Sequence, residues 1–97
     1  MVNPIIPIQV IPAPAIAVAT RKMPEITQII TSVQSVTTTK IETLIVEDYG
    51  NVKKYIAIVP KDAGKQEFVY YFDKTTLNVQ TVQTRFIESI QPAVTYS

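Results

Sequence analysis

Between Lys40 and Ile90 the chain is punctuated three times by turn-forming residues, and this spacing restricts the available folds more than any other feature. Asp48-Tyr49-Gly50-Asn51, the Pro60 to Lys65 segment and Asp73-Lys74-Thr75-Thr76 are rich in residues that bend or cap the backbone. The runs between them are 41–47 (IETLIVE), 52–59 (VKKYIAIV), 67–72 (EFVYYF) and 77–86 (LNVQTVQTRF). Each is dominated by β-branched or aromatic side chains, which suit a pleated, half-buried surface. Strands joined by connections this short run antiparallel, so the pattern predicts a four-stranded meander, with Pro92 ending regular structure.

Alternation gives these strands two apolar faces. Phe68, Tyr70 and Phe72 share one side and Val69 and Tyr71 the other, while Tyr55, Ala57 and Val59 oppose Ile56 and Ile58. A sheet apolar on both sides needs cover on both sides. Ahead of the meander, Ile26, Ile29, Ile30, Val33 and Val36 fall at the offsets of one helical face. Pro24 and Glu25 suit a helix start, because a first-turn proline loses no hydrogen bond and a carboxylate complements the positive end of the dipole. A short helix over 24–35 is expected, although the Thr, Ile and Val content there would also serve a strand.

Residues 1–20 (MVNPIIPIQVIPAPAIAVAT) differ in texture. Proline fixes φ and biases the preceding residue towards extended conformations, so an extended, Pro-rich arm is expected ahead of a single β-rich domain over 21–97. The arm carries Ile5, Ile6, Ile8, Val10, Ile11, Ile16 and Val18, which on a free tail would invite aggregation. These side chains need a surface, either their own domain's or a neighbour's. Pro4 to Pro7 also fit a P-x-x-P pattern, but without the basic flank that such ligands carry. Pro4, Pro7, Pro12 and Pro14 together exclude a continuous membrane-spanning helix, and the first basic side chain is Arg21, too late for the charged start of a secretory signal. The fold expected is therefore mainly β: a small antiparallel sheet of about four to six strands, one short helix and an extended arm.

The residue inventory leaves little chemistry. With no cysteine and no histidine, disulfides, thiolate or imidazole catalysis and the common zinc, haem and iron–sulfur ligand sets are excluded. The serines have no histidine to activate them, the eight acidic residues are scattered, and Gly50 and Gly64 stand alone in turns. Glu47 and Asp48 are expected to pair with Lys53 and Lys54 across a hairpin. No cofactor, metal or catalytic residue is expected.

Two binding readings remain. In the first, the protein is a non-enzymatic structural subunit, in its sharpest form a virion protein (capsid, minor capsid or cement) or a filament subunit. Its arm would then dock on other protein subunits by strand addition or in an apolar groove. In the second, Tyr55, Tyr70 and Tyr71 form an aromatic face of a small dimeric module that stacks on single-stranded nucleic acid. A net charge of +1 argues against the second reading, and alternating aromatics serve more often as core.

Overall fold

The structure, a computed structural model, describes residues 8–88. The elements run β1 (Ile8–Pro12), α1 (Ala13–Lys22), α2 (Glu25–Gln34), β2 (Thr43–Asp48), β3 (Val52–Lys61), β4 (Gly64–Asp73) and β5 (Asn78–Glu88). The strands form one five-stranded antiparallel sheet in chain order, β1-β2-β3-β4-β5. The mainly β, antiparallel architecture expected from the turn spacing is therefore present.

Each hairpin is built by the residues that mark it. In the first, Gly50 takes φ +95°, its amide donates to the Asp48 carboxylate at 2.9 Å, and Tyr49 N–H donates to the Val52 carbonyl at 2.8 Å. In the third, the Asp73 carboxylate accepts from the amides of Thr75 and Thr76 at 2.8 and 3.1 Å. Leu77 then closes the turn at φ +60°, a left-handed backbone that a branched side chain adopts only under constraint. The second connection is tighter than expected. Lys61 still pairs with Gly64, so only Asp62 and Ala63 turn the chain, with Asp62 at φ +53°. Asp tolerates that conformation better than most residues.

Helix α2 matches the periodicity: Ile26, Ile29 and Val33 are buried and Ile30 packs beside them. Val36 lies beyond its last turn and is exposed. The described part of the arm, residues 8–20, departs from expectation in its second half. Residues 8–12 are extended and pair with β2 of their own sheet, but 13–22 form a helix. Pro12 and Pro14, two of the prolines behind the extended reading, lie where a helix accepts them. Pro12 is the N-cap and Pro14 falls in the first turn, where the missing N–H has no intrahelical partner to lose. Ala13, Ala15, Ala17 and Ala19 then supply the strongest helix-forming side chain, and Arg21 and Lys22 complement the dipole in the last turn. Among the described residues there are thus two helices rather than one, and the described part of the arm packs on its own domain.

Both helices lie on the same face of the sheet. Ile11, Leu44, Val46, Tyr55, Ala57, Val59, Phe68, Tyr70 and Phe72 point towards them and join Ile16, Ile26, Ile29, Val33 and Ile41 in one core. None of the described helices is long and apolar enough to cross a membrane.

Because Ile11 and Ile16 are core residues, a chain lacking residues 1–20 is expected to lose its cooperative thermal transition rather than leave a folded domain. The milder Ile16→Ala change should lower unfolding stability by about 2–5 kcal/mol. Circular-dichroism melts and urea titration read both effects, and a truncated chain that melts like the full one would refute the placement of α1.

Candidate functional site

The two faces of the sheet offer different chemistry. On the helix-covered face the polar groups are tied to one another. Glu25, at the start of α2, is buried, accepts a short hydrogen bond from the Tyr55 hydroxyl and lies 3.5 Å from the Lys53 ammonium. Tyr70, opposite Tyr55 in the β3–β4 register, donates its hydroxyl proton to Ser32 Oγ at 2.9 Å. Lys74 pairs with Asp48 at 2.9 Å. Glu25, Lys53, Asp48 and Lys74 line a recess of about 600 Å³ together with Lys22, Gln28 and Phe72.

The expected hairpin ion pairs take a different form. Asp48 faces Lys53 and Glu47 faces Lys54 in register, yet Lys53 turns to Glu25 and Asp48 is engaged by Lys74. Glu47 instead accepts from the Tyr49 hydroxyl. The buried carboxylate of Glu25 explains the preference for Lys53, since an ion removed from water gains more from a partner than one at the surface. The Lys74 ammonium and the Gly50 amide hold the Asp48 carboxyl below its ordinary range. Burial, reinforced by the neighbouring Glu25 carboxylate, pushes the Tyr55 phenol far upward, and burial also raises Tyr70. Among the described residues no group of three or more acidic side chains converges in a way that could hold a metal ion.

The other face has no helix over it among the described residues. The register arranges it in rows across the strands. The central row runs Val10, Ile45, Ile56 and Val69; one flank carries Ile8, Glu47, Lys54 and Tyr71, the other Pro12, Thr43, Ile58 and Glu67. Ile8 and Val10 are 63% and 61% exposed and Tyr71 42%, while Ile45, Ile56 and Ile58 are half-buried and Val69 is buried among its neighbours. The charges on this face are mixed, with Arg85 3.4 Å from Glu67 and Lys54 opposite Glu47.

The structure divides the residues singled out in the sequence. Of the arm, Ile8 and Val10 lie on the open face, Ile11 and Ile16 are in the core, and Val18 is exposed on α1. Ile5 and Ile6 lie outside the described residues. Tyr55, Tyr70 and Tyr71 do not share a face: the first two are buried beneath the helices and only Tyr71 is accessible. A stacking platform built from all three is therefore not present, for the same reason that alternation separates neighbours on any strand. Sequence reasoning missed Ile45 and the burial of Glu25. Ile45 was legible as the partner-side position between Leu44 and Val46. Nothing local marks Glu25 as buried, because its partners lie 28 and 30 residues away in sequence.

Comparison of the chain with protein-family models, with curated proteins and with solved structures finds no match.

The buried phenols set an alkaline limit on the fold. Tyr55 and Tyr70 ionise at higher pH folded than unfolded, so their contribution is complete below about pH 10, the unfolded value. It is lost progressively as the pH rises above that value towards the folded one. In a titration followed by tyrosinate absorbance, two of the five tyrosines should ionise only as the far-ultraviolet circular dichroism collapses. Tyr55→Phe should remove one of these and, by leaving the buried Glu25 short of a donor, lower stability by about 1–3 kcal/mol. Ionisation of all tyrosines with the fold intact would contradict the burial of both.

Proposed function

We propose that this protein is a non-enzymatic assembly subunit that binds other protein subunits through the open face of its sheet. One observation carries the reading: aliphatic side chains of the arm, Ile8 and Val10, continue onto Ile45, Ile56 and Ile58 to make one apolar surface, and no described helix covers it. Contiguous apolar surface of this kind is expensive to leave in water, and on a small domain it marks an interaction site more often than chance exposure does. The contrast with the opposite face supports the same reading. There the ionisable groups Glu25, Lys53, Asp48 and Lys74 are engaged with each other, holding α2 and the hairpin turns in place. The sharpest form of the proposal is a virion protein (capsid, minor capsid or cement) or a filament subunit, in which the contact through this face is one of several that join copies.

On this reading the full chain forms species larger than the 10.8 kDa monomer in a concentration-dependent way, measured by light scattering after size exclusion. The double change Ile8→Asp and Val10→Asp, at two exposed positions, should reduce that association while leaving the melting temperature nearly unchanged. A full chain that stays monomeric at every concentration tested would overturn the reading.

A further inference from the structure

We infer that the occupant of the open face is the same face of a second copy, so that two sheets stack into a sandwich with Ile56 near its centre. This rests on the assembly reading above and names the partner. The first argument is size. Five strands at about 4.8 Å spacing and three rows of alternate residues span roughly 24 by 20 Å, or about 500 Å² in projection. Side-chain relief enlarges that towards the roughly 800 Å² per partner that a stable interface requires. A contact meeting that requirement has to use all three rows on both sides and reach onto the rows that extend them on β3 and β4, Val52 with Asp73 and Pro60 with Lys65. A second copy presents a face of the same outline and the same twist, and sheets of equal twist stack with their strands about 30° apart.

The second argument is charge. The three rows carry two acidic side chains, Glu47 and Glu67, and two basic ones, Lys54 and Arg85, each acid beside a base of its own sheet. The face is thus close to neutral and does not repel a copy of itself. A strongly acidic or basic partner would find no complementary field there. The charged pairs flank the central row, so Val10, Ile45, Ile56 and Val69 form a dry strip with a polar rim, the layout of a protein–protein interface. Ile56 lies on β3, the middle strand, in the middle row, so a two-fold stack places it opposite the equivalent region of its partner.

Two measurements on the full chain test this. Sedimentation equilibrium should give twice 10.8 kDa for the parent and 10.8 kDa for Ile56→Lys, whose charge would enter the dry strip. Tyr71→Lys, at an exposed position that tolerates a charge in the folded monomer, should give the same shift and guards against misfolding of the first variant. Because the chain has no cysteine, Ile56→Cys supplies a single thiol. Its maleimide labelling rate should fall in proportion to the monomer fraction as concentration rises, while Val36→Cys, exposed just beyond α2, labels at a constant rate. Association that survives both lysine variants, or labelling of Ile56→Cys that ignores concentration, overturns the sandwich and leaves the assembly reading to another surface. A parent that is monomeric throughout overturns both.

Discussion

The architecture depends on one imbalance: the sheet is apolar on both faces, and the described helices cover only one. The covered face is the one with the larger and more varied side chains. Tyr55, Tyr70, Phe68 and Phe72 lie there beside Leu44, Val46 and Val59, and each large apolar side chain removed from water contributes about 1.5–3 kcal/mol. The uncovered face carries aliphatics of medium size, Ile45, Ile56 and Ile58, partly shielded by their neighbours within the sheet. Two ten-residue helices are only wide enough to cover one side of five strands. Given one set of helices and two faces, covering the aromatic side buries more surface.

Aromatic burial also fixes how α2 sits. A core of aliphatics alone would let a helix slide, since apolar contact is non-directional. Here two tyrosine hydroxyls at adjacent register positions reach up from the sheet to two separate turns of α2, one to Glu25 and one to Ser32. Hydrogen bonds made in a low-dielectric core are strict about geometry, because a missed partner leaves a desolvated polar group. The pair therefore sets both the position and the rotation of the helix over β3 and β4. Lys53 adds a charge beside Glu25, and the resulting cluster joins the start of α2 to the strand that carries Tyr55. The recess lined by these groups follows from that tethering.

The strands and α2 were legible because their signals are local: turn residues, alternation and a helical offset pattern all act within a few positions. Helix α1 was not, because the same prolines signal a break inside a helix and a start at its first turn, and only the alanines after Pro14 separate the two. The contrast between the two sheet faces could be read from alternation, which states that Tyr70 and Tyr71 point apart. It does not state which face the helices choose. That choice is made by total buried area and by long-range partners such as Glu25 with Tyr55, neither of which is encoded near the residues concerned. For the same reason the three tyrosines grouped as a surface in the sequence separate into two core residues and one exposed one.

What the sheet does with its edges bears on how its open face is used. An antiparallel sheet with exposed edges can grow by adding strands, and natural sheets discourage this with short edge strands, proline and charge. Strand β1 has five residues and ends at Pro12, which cannot donate to a neighbour. Strand β5 presents Gln80, Thr81, Thr84 and Arg85 as exposed polar side chains along its length. Of the exposed aliphatics, Ile8 and Val10 belong to β1 itself, with their side chains on the open face rather than along the hydrogen-bonding edge. A contact made through a sheet face closes on itself, because a face, once covered by another, offers nothing further to a third copy, whereas an edge extended by a strand always exposes a new edge.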